Sequence, residues 1–323
     1  MGKVAFVHHE ACSLHDTGWQ HPEHQGRLRA VMQSLSGALP ELHGLVEPIE
    51  GVPADPSILT LAHTSAHVDR VRTACGQAAE TGQLVHLETD TVVSGPSWEA
   101  ALAATGSALT AVRSVVDGTY EAAFCAIRPP GHHATQDRAM GFCLFNHVAL
   151  AARMALTTGL AKKVLIVDWD VHHGNGTQNI FYEDPDVFYL SMHQWPHYPG
   201  TGLSEEVGEG LGEGTTLNCP LGPGLDPAVY VEALLAGVDT ALASFEPDLL
   251  LISAGFDAAV GDPLGGFTLR AEHFRELTLG LAERTSATAE GRIVSLLEGG
   301  YSSGELGANV LAHLRALTEI CQT

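Results

Sequence analysis

The sequence predicts a single α/β domain in which helices flank a central, mostly parallel β-sheet. Short apolar runs of β type alternate with longer helical stretches, as they do in doubly wound proteins. The short runs are continuously apolar, which is typical of strands that are covered on both faces. The chain contains no internal repeat, low-complexity tract or charge run that would divide it, so residues 1–323 are expected to form one domain.

The apolar runs predict strands, in chain order, at 4–8, 122–127, 164–168, 187–192, 249–253 and 293–297. Helical periodicity predicts helices at 98–116, 144–158, 227–245, 271–285 and 304–320, and Val148, Ala151, Ala152 and Ala155 recur at helical spacing in the second of these. Two further helices, near 25–35 and 65–81, are expected to pack at the periphery. The Gly/Pro-rich stretch 196–224 is interpreted as a long surface loop within the domain.

Charge and composition exclude several functions. The net charge of −22, from 38 acidic and 16 basic residues, leaves no basic patch for nucleic acid. It suits a cationic substrate, although acidity also simply keeps a protein soluble. The six cysteines are scattered without a C-x-x-C pair, which indicates neither a zinc knuckle nor a disulfide framework. The first apolar run is too short for a signal peptide and none reaches the ~20 residues that cross a bilayer, so the sequence predicts a cytoplasmic protein that contacts no membrane.

Polar residues follow the predicted strands, where ligands bind in parallel sheets. Asp168, Asp170 and His172 alternate after the run 164–168, and in extended backbone they would project to one side. Two carboxylates grouped in this way repel each other unless a cation joins them, and the alternative is a hydrogen-bonded network that holds loops together. Asp257, after the run 249–253, is by itself typical of a helix cap or turn, but beside the first segment it is a further candidate ligand. An Asp/His/Asp set suits catalytic zinc, with Fe(II) or Co(II) as alternatives.

Two further segments carry candidate catalytic groups. His132 and His133 follow two prolines and a glycine after the run 122–127, and a consecutive pair on a rigid turn can act as general base and general acid. Tyr301 follows Gly299 and Gly300, whose lack of side chains allows close approach to a ligand. Tyr301 is a candidate donor to an oxyanion, and the alternative is a turn with a packed tyrosine.

Together these segments resemble the histone deacetylase superfamily, particularly its class II branch and the bacterial deacetylase-like amidohydrolases. The matching motifs, in the family's order and spacing, are R-P-P-G-H-H (128–133), G-F-C-L-F-N (141–146), D-W-D-V-H-H-G-N-G (168–176), S-A-G-F-D (253–257) and E-G-G-Y (298–301). The resemblance begins at H-P-E-H-Q-G-R-L (21–28) and extends to the final predicted helix. It implies an arginase/deacetylase-like fold and a deacetylase that removes acetyl or short acyl groups from amines such as acetyl-lysine side chains.

The resemblance also implies a division of roles. One catalytic Zn²⁺ would be held by Asp170, His172 and Asp257. His132 and His133 would flank the metal-bound water, His133 would take its proton, and Tyr301 would stabilise the oxyanion. Asp168 would orient His132 instead of binding zinc, which revises the three-ligand interpretation above. Asn175, where class I enzymes carry an acid and the class II branch carries Asn, would orient His133 without a full negative charge.

Substrate and ion contacts follow from the same resemblance. Gly141 with Phe142 and, opposite them, Tyr198 would form the walls of an acyl-lysine tunnel, Gly300 would lie beside it, and Asp90 would bind substrate backbone amides at the rim. Leu264 stands where polyamine-preferring relatives carry an acidic gatekeeper, which weakens the alternative of an acetylpolyamine amidohydrolase. A potassium ion is expected near the catalytic loop, with candidate ligands, largely through backbone carbonyls, at Asp168, Asp170, His172, Ser191 and Met192.

Two alternative functions are also considered from the sequence. An arginase-like ureohydrolase with two Mn²⁺ ions needs further carboxylates, but Gly174-Asn175-Gly176 follows the Asp/His run. A non-catalytic acyl-ligand binding protein would be expected to have lost part of the catalytic set, which is intact here. The sequence predicts an acylated amine as partner and is compatible with an oligomer.

Overall fold

The computed structural model describes residues 2–322 and is built around an eight-stranded sheet. The strands are β1 (Val4–His8), β2 (Val46–Glu50), β3 (Val85–His86), β4 (Val92–Val93), β5 (Ala122–Ala126), β6 (Val164–Asp168), β7 (Val187–Gln194), β8 (Thr216–Leu221), β9 (Leu249–Ala254) and β10 (Ile293–Leu297). The large sheet has the order β2-β1-β5-β10-β9-β6-β7-β8, and every neighbouring pair in it is parallel. Strands β3 and β4 form a separate antiparallel pair.

The helices lie in two groups around this sheet. They are α1 (Gly26–Leu42), α2 (Ser65–Thr81), α3 (Ser97–Val116), α4 (His147–Thr157), α5 (Asn175–Phe181), α6 (Pro227–Leu242), α7 (Ala271–Ala289) and α8 (Ser303–Ile320). Helices α6, α7, α8 and α1 pack against one another, as do α2, α3 and α4. Strands β5, β6, β9 and β10 are buried along their whole length, which explains why their sequences are continuously apolar. The predicted α/β fold is confirmed.

Capping side chains set several helix boundaries. Asn146 accepts a hydrogen bond from the Ala149 amide, so α4 begins at His147 and not at the predicted residue 144. Helix α2 begins after Thr64, whose hydroxyl accepts from the His67 amide. It ends at Thr81, where Gly82 caps it in the left-handed region. None of the helices within residues 2–322 is both long and apolar enough to span a bilayer.

The interpretation of 196–224 as one long surface loop was wrong. This stretch contains a 3₁₀ helix at Gly210–Gly212 and the edge strand β8. The strand at the opposite edge, β2, was also missed, as was the short helix α5. Both edge strands contain a proline and are partly exposed, so neither has the continuous apolar run that marks the central strands.

The parallel order brings the ends of the central strands together. In the register Asp168, the last residue of β6, pairs with Ser191 of β7 and Ser253 of β9, and Leu297 of β10 pairs with Ala254. The segments that follow these strands therefore emerge at one edge of the sheet, where ligands bind in α/β proteins.

Candidate metal centre and active site

Asp170, His172 and Asp257 form a buried group in which potential ligand atoms lie within 4.8 Å of one another. His172 Nδ1 is 3.0 Å from Asp170 Oδ1 and 3.2 Å from Asp257 Oδ2. Asp257 Oδ2 is buried and has no partner in hydrogen-bonding geometry, which is costly for a carboxylate unless a cation is present. Across residues 2–322 this is the one group of three or more His, Cys, Asp or Glu residues that is suited to hold a metal ion.

The electrostatics of this group favour a cation. Burial, followed by the neighbouring Asp170 carboxylate, raises the pKa of Asp257 to about 7. Burial would also raise the pKa of Asp170, but the adjacent imidazoles outweigh it and hold that pKa well below its usual range. The second oxygen of each carboxylate is oriented by a backbone amide, from Gly299 at 2.8 Å for Asp170 and from Val171 at 2.9 Å for Asp257. A side chain at position 299 would overlap both carboxylates, so glycine is required there. Two oriented carboxylates and one imidazole fit zinc.

Asp168 is engaged with other partners. Its Oδ2 lies 3.0 Å from His132 Nδ1 and accepts a hydrogen bond from the Tyr189 hydroxyl at 3.0 Å, while its Oδ1 accepts from the Asp170 amide at 3.1 Å. It is absent from the group that could hold a metal among the described residues. The interpretation from alternation alone, with three ligands on one face, is therefore wrong for Asp168, and the structure places it behind His132.

The two histidines that follow β5 have contrasting surroundings. Their ring centroids are 4.0 Å apart. Burial would lower the pKa of His132, but the Asp168 and Asp170 carboxylates overcome it and raise that pKa well above its ordinary value. For His133, burial and the neighbouring histidines hold the pKa well below its ordinary value. His132 is thus favoured as imidazolium and His133 as neutral imidazole, and such a separation is typical of acid–base pairs.

A cavity of about 490 Å³ opens beside these residues. The predicted site residues in its lining are Asp90, His133, Gly141, Phe142, His172, Tyr198, Leu264 and Tyr301. Gly300 is absent from this lining, and its carbonyl instead accepts a hydrogen bond from Arg27 Nε at 2.7 Å.

Aromatic rings form two sides of the cavity. The ring centroid of Phe142 lies 5.8 Å from that of Tyr301, and the centroid of Tyr198 lies 5.2 Å from that of His133. Gly141 and Phe142 both have positive φ, and a Cβ at Gly141 would overlap the His133 ring. Asp90 accepts hydrogen bonds from the Gly141 amide at 3.2 Å and the Thr91 hydroxyl at 2.8 Å, so it supports the Phe142 side.

Several residues at the site were missed from the sequence. His197 stacks on His172 with centroids 5.0 Å apart, and its Nε2 lies 2.8 Å from the Leu264 carbonyl oxygen. Gln194 also lines the cavity, as do Pro263, Gly265 and Gly266 on either side of the predicted Leu264. His197 and Gln194 carry no motif of their own, and His197 lies within the stretch interpreted as a loop.

A buried ionic cluster beneath the site was missed as well. Glu23 pairs with Arg27 and Arg128, and all three side chains have no exposed surface. The Arg27 guanidinium carbon lies 4.9 Å from the centroid of the Tyr301 ring. The i,i+4 spacing of Glu23 and Arg27 could have predicted their pairing. Arg128 is too distant in sequence for such a pattern to include it.

Comparison with known proteins identifies close similarities. The profile of the histone deacetylase domain matches residues 21–317. Histone deacetylase 15 of Arabidopsis thaliana is 40% identical over 305 residues, which are 92% of this chain and 52% of that protein. Histone deacetylase 10, chloroplastic, of Oryza sativa subsp. japonica is 38% identical over 307 residues, which are 92% of this chain and 69% of that protein.

A human relative and a solved structure extend the comparison. Histone deacetylase 7 of Homo sapiens is 38% identical over 320 residues, which are 90% of this chain and 33% of that protein. The crystal structure of the HDA15 HD domain has a TM-score of 0.91 and 37% identity, with 99% of this chain and 90% of that chain covered. The chain thus spans about half the length of the Arabidopsis relative and a third of the human one.

Proposed function

The chain belongs to the histone deacetylase family, whose members are zinc-dependent hydrolases that act on acetyl-lysine amides, and we propose that this domain removes acetyl or short acyl groups from amines such as acetyl-lysine side chains. The observation that carries the proposal is the buried Asp170–His172–Asp257 group, with its unpartnered carboxylate oxygen, beside a cavity that has aromatic walls. In this proposal Asp170, His172 and Asp257 hold one zinc ion. Bound zinc supplies Lewis-acid polarisation of the amide carbonyl and lowers the pKa of an attacking water.

His133 is proposed as the group that moves the proton. It lines the cavity, and its Nδ1 is occupied by Asn175 at 2.8 Å, which leaves Nε2 for the reaction. Because its surroundings favour the neutral form, Nε2 can accept a proton from the attacking water and then deliver it to the leaving amine. His132 is proposed to remain protonated against Asp168 and to contribute positive charge beside the reacting centre.

Tyr301 is proposed as the donor to the tetrahedral oxyanion. It lines the cavity, and burial, more than any other effect, raises the pKa of its hydroxyl well above the ordinary value. The hydroxyl therefore keeps its proton and remains available as a donor. Phe142 and Tyr198 are proposed to enclose the aliphatic stem that carries the acyl group.

We propose two finer assignments on the same basis. The neutral partner of His133, Asn175, favours a class II-like relative over one with an acid at this position. A potassium site is proposed beside β6 and β7, where Asp168 and Ser191 are paired in the register and the backbone of Met192 follows. A polyamine substrate is not favoured, because Leu264 gives the cavity an apolar residue at the gatekeeper position. The cytoplasmic location stays a prediction, since relatives include chloroplastic proteins.

The test is a panel of acyl-lysine peptides and acetylpolyamines, with kcat/KM measured with and without a chelator. We expect turnover of acetyl-lysine peptides that the chelator abolishes and added Zn²⁺ restores. The matched variant Tyr301→Phe should fold, retain its metal and lose about 10²–10³ in rate. Turnover that resists chelation, or near-normal turnover by Tyr301→Phe, would overturn the corresponding assignment. Tight binding of acylated amines without any turnover would instead favour the non-catalytic alternative.

A further inference from the structure

Two loops that border the cavity meet at one buried carboxylate, that of Asp262. Its side chain belongs to the loop after β9, and the residue is only 6% exposed. Its Oδ1 accepts a hydrogen bond from the Leu264 amide at 2.9 Å. Its Oδ2 accepts from the Tyr301 amide at 2.7 Å and from the Ser302 amide at 3.1 Å, both in the loop after β10. One side chain therefore joins the wall segment 262–266 to the backbone of Tyr301.

The wall segment is fixed from its other side by residues of the β7 end. The Leu264 carbonyl oxygen lies 2.8 Å from His197 Nε2, and the Gly266 amide donates to Gln194 Oε1 at 2.7 Å. These contacts attach the segment to the neighbouring loop but do not reach Tyr301. Asp262 is thus the side chain that connects the wall segment to the loop that contains Tyr301.

The backbone of Tyr301 needs such an anchor. Two glycines precede it, and Gly300 has a φ of 120°, a conformation that L side chains rarely adopt. The Tyr301 ring contacts Phe142 at 5.8 Å and the Arg27 guanidinium at 4.9 Å. Arg27 also holds the preceding residue through the Gly300 carbonyl, at 2.7 Å, but the Tyr301 amide itself donates to Asp262. The Ser302 side chain makes no capping hydrogen bond at the start of α8, so the Asp262 carboxylate also anchors the entry to that helix.

We infer that Asp262 is a positioning residue for the hydrolysis: by tying the backbone of Tyr301 to the substrate wall, it sets the Tyr301 hydroxyl at a fixed place relative to the bound acyl group. This inference rests on the proposed function, since the position of Tyr301 affects a rate only if this site hydrolyses amides. Loss of the anchor acts on the step in which Tyr301 donates its hydrogen bond, and displacements of about 1 Å at a reacting centre cost up to about 10² in rate.

Asp262→Asn is the informative substitution because it is nearly isosteric. A carboxylate has acceptors at both ends, whereas an amide has one acceptor and one donor. In either orientation the introduced amide would direct its NH₂ at a backbone N–H, at Leu264 or at Tyr301 and Ser302. The link between the two loops is therefore broken on one side while volume and burial are kept.

The experiment is a double-mutant cycle on kcat for an acetyl-lysine peptide with the zinc-loaded enzyme. The four proteins are wild type, Asp262→Asn, Tyr301→Phe and the double variant. We expect Asp262→Asn alone to lower kcat at least about tenfold with a smaller change in KM, and to have little further effect when Tyr301 is already Phe. A merely structural role would lower kcat by the same factor on both backgrounds, and that additivity would overturn the inference.

Controls separate this test from that of the proposed function. A wild-type enzyme that hydrolyses no acylated amine refutes the proposed function itself, whereas an active wild type with normal kcat in Asp262→Asn refutes only the role of Asp262. Asp55→Asn, at an exposed helix cap, is the matched control and should leave kcat unchanged. Unfolding in urea checks each variant, and Asp262→Glu, which keeps the charge on a longer arm, enters the same cycle if Asp262→Asn does not fold. If neither variant folds, the residue is structural and the inference fails.

Discussion

His133 Nδ1 lies 2.8 Å from Oδ1 of Asn175, so this imidazole is oriented by a neutral amide. The adjacent His132 is held at 3.0 Å by the carboxylate of Asp168. Asn175 is itself fixed, because its Nδ2 donates to the His133 carbonyl at 3.3 Å. Burial lowers the pKa of both histidines, but the Asp168 and Asp170 carboxylates reverse this for His132. The neutral Asn175 does not reverse it for His133, whose pKa the neighbouring histidines lower further.

Asn175→Ala is expected to lower kcat about 10- to 100-fold, because an unoriented His133 loses the alignment of Nε2 with the reacting atoms. Asn175→Asp, which keeps an acceptor oxygen at this position, is expected to retain more of the rate than Asn175→Ala. Steady-state kinetics on an acetyl-lysine peptide test this order. Equal losses in the two variants would contradict an orienting role for the acceptor oxygen.

The metal content is expected to be one zinc ion per chain. Asp257→Asn should reduce it strongly, because the substitution removes negative charge from a ligand oxygen whose one near neighbour is His172 Nδ1, at 3.2 Å outside hydrogen-bonding geometry. Asp168→Asn, at a buried carboxylate directly behind His132, is the matched control and should retain the metal, since Asp168 lies outside the ligand group. Elemental analysis after dialysis gives the stoichiometry. Two ions per chain would return support to the two-metal alternative.

The central strands and the segments that carry the site residues were predictable because each has a local sequence pattern. The continuous apolar runs of β6, β9 and β10 mark buried parallel strands, and each is followed directly by candidate site residues. The convergence of Asp170 and Asp257 follows from parallel strand order, which places these strand ends at one edge. The same reasoning could not tell that Asp168 faces His132, because alternation along a strand gives the side but not the partner.

Contacts between distant loops left no local pattern. The role of Asp262 depends on a loop that is 39 residues away along the chain, and His197 lies in a Gly/Pro-rich stretch with no periodicity. The edge strands β2 and β8 lacked an apolar run because one side of each pairs with nothing further in the described sheet. Such features become visible only when the tertiary fold brings their partners together.

Glu23→Gln is expected to lower the free energy of unfolding by about 3–5 kcal/mol, because it leaves the buried guanidinium groups of Arg27 and Arg128 without a compensating charge. Glu41→Gln is the matched control. Glu41 pairs with Arg315 at 2.7 Å on the surface, where solvent screening leaves only a small effect when the pair is lost. Urea unfolding at neutral pH measures both, and a similar small loss in the two variants would contradict the importance of the buried cluster.

His313 is expected to make the fold acid-sensitive. Burial lowers the pKa of His313 to about 3, and its two nitrogens lie 2.6 Å from the Thr278 hydroxyl and 2.8 Å from the Ser295 hydroxyl. In the unfolded chain a histidine titrates near pH 6.5, so its contribution to stability is complete above that pH and is lost as the pH falls toward 3. Between pH 7 and pH 5 this amounts to about 2 kcal/mol.

The test compares the pH dependence of the free energy of unfolding for wild type and variants. A comparison is needed because other buried groups titrate in the same pH range and change stability in the opposite direction. Burial raises the pKa of Glu298 to about 7, which makes the folded state bind a proton that the unfolded state does not. His313→Gln should therefore lose about 2 kcal/mol less than wild type between pH 7 and pH 5. His86→Gln, at an exposed histidine, controls for the loss of a histidine side chain as such. Parallel curves for wild type and His313→Gln would refute the assignment.

Tyr198→Ala is expected to raise KM for an acetyl-lysine peptide by about tenfold, because the aliphatic stem loses an aromatic face worth about 1 kcal/mol or more. Tyr198 is suited to this role because it lines the cavity and 38% of its surface remains exposed. Its ring is therefore not buried in the core and can contact a substrate. Its ring meets the His133 ring edge-on, at 5.2 Å between centroids, while His133 Nδ1 is held by Asn175.

Tyr198→Phe separates the ring from the hydroxyl. If stacking on the substrate stem is the contribution, this variant keeps KM near the wild-type value, and in Tyr198→Ala kcat changes less than KM. Equal increases in KM for Tyr198→Ala and Tyr198→Phe would assign the effect to the hydroxyl and contradict an aromatic wall. A fall in kcat with unchanged KM would mean that the ring acts through His133 instead, since a wall that only binds the stem stabilises ground state and transition state alike.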